Sequence, residues 1–107
     1  MGAPIERKKL VFTGTIHSTL ANCTVIDMND YSGLSFLVPS GVTQVTYYAS
    51  AASDGSFGVV DNIGTAGAET VTADNWHVVP AEVFSLPFVK IRVTTGTGGS
   101  TSIAVKQ

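Results

Sequence analysis

Hydrophobic and polar residues alternate with a period of two along most of this chain. The stretch 88–95, "FVKIRVTT", places Val89, Ile91 and Val93 on one face and charged or hydroxyl side chains on the other. The stretches "KKLVFTGTI", "GLSFLV", "TQVTYYA" and "TSIAVK" repeat the pattern. Because successive side chains of a strand point to opposite faces of a sheet, this alternation predicts β-strands.

Shorter apolar runs and turn signals extend this pattern to the whole chain. The runs "CTVIDM", "FGVV", "ETVT" and "WHVV" bring the total to eight or nine short strands, separated by turn sequences such as "PSG", "SDG" and "TGTGG". Such strands, spaced about ten residues apart, are typical of a sandwich or small barrel. We therefore predict an all-β fold: one antiparallel, jelly-roll-like β-sandwich over residues 10–107, preceded by an extended N-terminal arm at residues 1–9. "PAEVFSL" predicts a single helical turn, and "TGTGG" predicts a hairpin tip.

Charge is scarce and segregated. Only 13% of the 107 residues are charged, against about 25% in an ordinary soluble domain. Residues 1–9 carry a net charge of +2, residues 90–107 carry +3, and the stretch between Leu10 and Val89 carries −7. This distribution argues against a nucleic-acid interface, which needs clustered cations. It suits electrostatic pairing between neighbouring copies, although seven scattered acids also serve simply to solvate loops.

Two aspartates raise the question of a metal site. Asp54 and Asp61, with Asn62 beside the second, are oxygen-bearing side chains of the kind that calcium binds. The run "SFGVV" between them, if extended, would hold them about 20 Å apart. We therefore predict that both are turn residues and that no metal or other cofactor is bound.

The sequence offers no convincing set of catalytic residues. His17 and His77 have no partners at ligand spacing, Cys23 is the single cysteine, and no nucleophile motif is present. We predict that the chain is not an enzyme, that His77 faces outward and that Trp76 packs inward. The N-terminal stretch resembles no signal peptide, and no apolar run reaches the roughly 18 residues of a membrane span, so we expect no membrane association.

Exposed aromatic and basic side chains suggest a protein interface instead. Tyr48 follows Tyr47, so one of the two rings must face away from the core of a strand. An outward Tyr among few lysines suits a protein contact. The candidate interface residues comprise this ring and the cations of the arm and the late strand: Arg7, Lys8, Lys9, Tyr48, Lys90 and Arg92. The alternative is a carbohydrate-binding sandwich module, in which Tyr48 and Trp76 would present coplanar exposed rings.

The order of strands and turns resembles that of small β-sandwich structural proteins of tailed bacteriophages. The resemblance lies in "FTGTIHST", "VIDMNDYSGLSFLVPSG", "VTYYASAASDGSFGVVDNIGTAG", "VTADNWHVVPAEVFSLPFVKIRV" and the terminal "TSIAVKQ". It implies a virion protein, assembled in the host cytoplasm, that decorates or cements a capsid or forms a head- or tail-associated fitting. Its implied partners are the major capsid protein or other virion subunits and its own copies, as a homo-oligomer. It implies no catalytic residues.

Overall fold

A computed structural model shows an all-β chain and describes residues 9–61 and 67–107. Within those residues nine strands form one curled, mixed sheet, a half-barrel. The strands are β1 (Lys9–His17), β2 (Ile26–Asp27), β3 (Gly33–Leu37), β4 (Gln44–Ser50), β5 (Gly58–Val59), β6 (Ala68–Thr70), β7 (Trp76–Val78), β8 (Phe88–Thr95) and β9 (Gly98–Lys106). The all-β class and the strand number are confirmed. Residues 1–8 of the predicted arm lie outside the described residues, and Lys9 is the first residue of β1.

The strand order is β5-β4-β8-β1-β9-β3-β7, with β2 beside β8 and β6 beside β4. All pairs are antiparallel except β1 and β8, which are parallel and meet at one residue pair, His17 and Arg92. The prediction of a wholly antiparallel sheet is therefore wrong at this pair. The two-layer, jelly-roll arrangement stays a prediction.

The core fills the inside of the curl. Phe36, Tyr47 and Ile103 are fully buried there. Val89, Ile91 and Val93, the inward set predicted for β8, are also buried, which confirms the alternation. Burying a side chain of this size contributes about 1.5–3 kcal/mol, so the strands of both halves of the sheet depend on one shared core.

The segment "TGTGG" does not form the predicted hairpin tip. β8 and β9 are not paired, because the end of β1 lies between them in the sheet. Ser18 N donates to the carbonyl of Thr97 (3.2 Å), and Gly98 adopts φ +82. A positive φ is open to glycine at little cost, so the chain turns from β8, across the end of β1, into β9.

The inward and outward sides of β7 are the reverse of those predicted. In the pairing of β3 with β7, His77 lies opposite the buried Phe36, whereas Trp76 and Val78 lie opposite Leu37 and Ser35. Trp76 is 51% exposed, so the prediction that it packs inward is wrong. His77 faces inward because Phe36 belongs to the core side of β3.

The predicted helical turn is present as a 3₁₀ turn at Ala81–Ser85, preceded by Pro80. It is the second 3₁₀ turn in chain order; the first, Leu20–Asn22, was not predicted. Among the residues that the structure describes, none belongs to a helix long and apolar enough to cross a membrane.

Candidate interaction surfaces

Three of the predicted interface residues converge on the outer face of β4 and β8. Tyr48 lies directly opposite Lys90 in the strand pairing. Arg92 donates from Nη1 to the Tyr48 hydroxyl (3.0 Å) and from Nε to the carbonyl of Ser18 (2.9 Å). The three side chains point outward because Tyr47, Ile91 and their neighbours occupy the core side of the same strands.

Lys90 completes this group with an aromatic partner. Its Nζ lies 4.9 Å from the centre of the Phe57 ring and donates to the carbonyl of Leu20 (3.3 Å). A cation over a ring face is attracted by the ring quadrupole. We call Tyr48, Phe57, Lys90 and Arg92 the cation–aromatic cluster. Phe57 was not predicted to belong to this group, since the sequence placed it in the short strand "FGVV", whereas β5 begins only at Gly58.

The other predicted interface residues are not part of this cluster. Lys9 begins β1, whereas the end of β1 meets Arg92 at His17. Eight steps of about 3.3 Å separate Lys9 from His17 along the strand, or roughly 26 Å. Arg7 and Lys8 lie outside the described residues.

A second surface is apolar and lies on the outer face of β1, β9, β3 and β7. Val11 pairs with Ala104, Ala104 with Ser35, and Ser35 with Val78, so these four side chains form one row across four strands. Val11 is 65% exposed and Val78 is 73% exposed. Trp76 and Leu37 stand opposite each other beside this row. We call these six residues the outer strip.

Sequence reasoning missed the outer strip, although it contained a signal. Leu10 and Val11 are adjacent in a strand, so one of the two must face away from the core. His77 and Val78 are also adjacent in a strand, so one of these two side chains must likewise face away from the core. Large apolar side chains on the outer face of β1, β3 and β7, with the smaller Ala104 of β9 between them, form a patch of the kind that marks an interaction site.

A polar group bridges two parts of the sheet on the inner side. The Tyr47 hydroxyl of β4 donates to Glu69 Oε1 of β6 (2.5 Å), and His77 Nε2 of β7 contacts the same oxygen (2.5 Å). The His77 ring also packs against Phe36, with ring centres 5.6 Å apart. β6 lies beside β4 and β7 beside β3, at opposite ends of the strand order. Glu69 therefore links the two ends of the curl through side chains.

Burial and Glu69 together hold Tyr47 in its neutral form. Removal from water raises the pKa of Tyr47 first, and the hydrogen bond to Glu69 and the negative charge of Glu69 raise it further. The neutral hydroxyl keeps its proton and donates a hydrogen bond to the carboxylate, so Tyr47 is a structural donor in this group.

The two aspartates considered as calcium ligands lie in two different turns. Asp54 and Asp61 are exposed turn residues on either side of β5, as predicted. Asn62 lies outside the described residues. Within residues 9–61 and 67–107, no three His, Cys, Asp or Glu side chains are grouped so that they could hold a metal ion.

Trp76 and Tyr48, the two rings considered for carbohydrate binding, lie near opposite ends of the strand order. Trp76 belongs to β7, beside β3, and Tyr48 belongs to β4, beside β8. The Tyr48 hydroxyl is also engaged by Arg92. A flat platform made from both rings is therefore not formed.

Cys23 is buried and follows the first 3₁₀ turn. Its Sγ donates to the carbonyl of His17 (3.3 Å) and contacts that of Thr19 (3.6 Å). Burial raises the pKa of the thiol, while its hydrogen bond with the His17 backbone and the charges of Lys90 and Arg92 lower it by less. The thiol is thus held in its unreactive, protonated form.

We expect Cys23 to react slowly with thiol reagents in the folded protein. At pH 8, labelling by a disulfide reagent should be at least about tenfold slower in buffer than in concentrated urea, because both burial and the raised pKa deplete accessible thiolate. The measurement is the absorbance of the released thiol over time, with free cysteine as the control in both solvents. Equal rates in buffer and in urea would contradict the buried position.

The chain matches no protein-family model, no curated protein and no solved structure.

Proposed function

We propose that this chain is a non-enzymatic structural subunit of a tailed-phage virion. In this proposal it decorates or cements the capsid by binding the major capsid protein and its own copies, with a head- or tail-associated fitting as the alternative position. The observation that carries the proposal is the outer strip, in which Val11, Val78 and Trp76 expose more than half of their surface. The resemblance in the order of strands and turns supplies the virion setting.

The size of the outer strip supports docking on another protein. Four strands spaced about 4.8 Å apart make a face roughly 19 Å wide. A specific interface buries about 800 Å² on each partner. On β1 and β9 the strip is bordered by hydroxyl side chains, among them Thr13 and Ser102, and at its other end it reaches β7, the last strand of the sheet order. An apolar centre with a polar rim is the usual anatomy of such an interface.

The cation–aromatic cluster supplies a second, more polar contact in this proposal. Lys90 and Arg92 stand on a part of the sheet that the outer strip does not share. Their donors bind main-chain carbonyls, and a guanidinium can still bind a carboxylate of a partner with its remaining N–H groups. A subunit with two separate contact faces can bridge two neighbours on a shell.

We also propose that the curled sheet packs as the two layers of a sandwich. The single residue pair His17–Arg92 is the whole connection between β8 and β1. The β4–β8 side and the β1–β9–β3–β7 side each remain continuous on either side of that pair, and one core lies between them. Strands that switch sheets at a corner produce this arrangement in sandwiches.

Val78→Lys should weaken binding to phage particles by at least about tenfold. The substitution places a charge that must be desolvated in the middle of an apolar contact. The measurement is co-sedimentation of the purified variant with particles that lack this chain, over a range of concentrations.

Leu86→Lys is the matched control for that experiment. Leu86 is also an exposed apolar residue, 40% accessible, but it follows the second 3₁₀ turn and does not belong to the outer strip. It should bind like the unmodified chain. Undiminished sedimentation of the Val78→Lys protein would remove the outer strip from the proposal, and no sedimentation of the unmodified chain would remove the virion role.

A further inference from the structure

Two grooves meet at Leu10, near the start of β1. One groove runs along the outer face, where it shares Val11 and Val78 with the outer strip and reaches Lys9, Leu10 and Lys106 at the start of β1. The second groove opens on the other side of the same residue and is lined by Leu10, Phe12, Tyr31, Val105, Asp27 and Asp30. Leu10 is 50% exposed, so an apolar side chain stands between the two grooves.

The two grooves carry opposite charges. Lys9 and Lys106 are cross-strand neighbours on β1 and β9, and both are exposed. Asp27 and Asp30, on the other side of Leu10, are exposed as well. Each groove thus combines the same apolar centre with a pair of like charges, cationic on one side and anionic on the other.

Local packing orients the charged groups of both grooves. A Cβ at Gly33 would lie 3.0 Å from Cγ and 3.2 Å from Cε of Lys106, so the Lys106 stem lies across Gly33, and both residues line the first groove. Asp27 Oδ1 accepts bonds from N and Nδ2 of Asn29 (2.9 and 2.8 Å). A carboxylate has about four acceptor positions, so Asp27 can accept a cation in addition to these bonds.

We propose that a second copy of this chain docks here about a two-fold axis passing close to Leu10. In a two-fold contact, residue i of one copy meets residue j of the other, and the reverse contact follows by symmetry. The axis places Lys9 and Lys106 of each copy against Asp27 and Asp30 of the other, and it brings the two Leu10 side chains together. This inference rests on the proposed function in one respect, that the chain associates with its own copies.

Charge complementarity favours a second copy over a different partner. A foreign surface would need cations and carboxylates at matching positions on the two sides of one apolar contact. A copy of this chain carries that arrangement by construction. Complementary charges set the orientation and speed of such an encounter, and exposed pairs of this kind are screened by salt, with a Debye length of about 10 Å at 0.1 M.

A mixing experiment with charge-reversed variants tests the two-fold arrangement. One variant carries Lys9→Glu and Lys106→Glu, and the other carries Asp27→Lys and Asp30→Lys. Sedimentation equilibrium in 50 mM and 500 mM salt gives the mass of each protein alone and of an equimolar mixture. The unmodified chain should dimerise from 11.1 kDa subunits, more tightly in low salt.

Each charge-reversed variant alone should dimerise at least about tenfold more weakly, because both of its contacts then join like charges. The mixture should recover the dimer, since every contact between the two variants again joins opposite charges. Asp54→Lys, a charge reversal in an exposed turn, is the control and should leave the dimer unchanged. If Asp27→Lys lowers thermal stability, Asp30→Lys alone replaces the double variant and keeps the bonds between Asp27 and Asn29.

A monomer at every concentration in low salt would overturn the inference, as would a dimer that neither variant weakens or variants that the mixture does not restore. These outcomes are separate from those of particle binding. A monomeric chain that still sediments with particles would remove the two-fold contact and leave the proposed function. A dimer that binds no particle would remove the proposed virion function and leave the two-fold contact.

Discussion

Gly98→Ala should destabilise the fold by about 3 to 5 kcal/mol, through a positive φ worth about 1–2 kcal/mol and a steric overlap that adds the rest. Gly98 adopts φ +82, and a Cβ there would lie 2.0 Å from the carbonyl oxygen of Ile16. The oxygen belongs to the backbone of β1, next to the residue pair that joins β1 to β8. The chain cannot relieve this contact by rotating a side chain, so the corner of the sheet must move.

Gly41→Ala separates the two causes. Gly41 has nearly the same backbone conformation, φ +80, but no atom lies within 4 Å of the position of its Cβ. The Gly41→Ala variant should lose only the part of the free energy of unfolding that comes from the positive φ, about 1–2 kcal/mol. Urea unfolding followed by circular dichroism gives both free energies of unfolding. Equal losses for the two variants would show that the overlap with Ile16 does not contribute.

Glu69→Ala should lower the free energy of unfolding by about 2–3 kcal/mol, because it leaves the buried Tyr47 hydroxyl without its charged acceptor. Tyr47 is fully buried, and Glu69 Oε1 is the acceptor for its hydroxyl. Adding Tyr47→Phe to Glu69→Ala removes the stranded hydroxyl, and the second change should therefore be less harmful in that background than in the unmodified chain. A double-mutant cycle from urea unfolding measures this coupling, and independent, additive losses would contradict it.

The buried Tyr47 hydroxyl also makes the free energy of unfolding depend on pH in the alkaline range. The pKa of Tyr47 is raised in the folded chain, whereas an unfolded tyrosine ionises near pH 10. Above about pH 10 the unfolded chain therefore releases a proton that the folded chain keeps, and stability falls as the pH rises, by up to about 1.4 kcal/mol per pH unit for one proton. Tyr47→Phe should remove this part of the slope.

The alternation of apolar and polar positions predicted one of the two candidate surfaces better than the other. Tyr48, Lys90 and Arg92 were placed on outward positions from their strands alone, and the structure brings all three together. That success reflects the pairing of β4 with β8, two long strands whose inward positions are clearly apolar. The outer strip was missed for two reasons: Val11 stands among lysine and threonine side chains on its face of β1, and Val78 shares with Trp76 the face of β7 that hydrophobicity alone places inward.

The prediction of which side of β7 faces inward was wrong for a related reason. In "WHVV", a tryptophan and a valine share one side and a histidine lies on the other, so hydrophobicity alone places Trp76 inward. The pairing with β3 decides otherwise, because Phe36 must face the core and fixes His77 on the same side. Glu69 then supplies the inward histidine with a hydrogen-bonding partner. Glu69 belongs to another strand, so the local sequence around His77 does not predict this hydrogen bond.

The sequence by itself determined the all-β class, the approximate number of strands and the inward positions of the long strands β3, β4, β8 and β9. These follow from local chemistry, since side chains one and two positions apart fix the two faces of a strand. Only the tertiary structure decided that β1 lies between β8 and β9, that β7 turns His77 inward, and that Glu69 bridges the ends of the curl. Those features depend on contacts between distant residues, and the strand pairing that creates them is set by the shared core and not by any one segment.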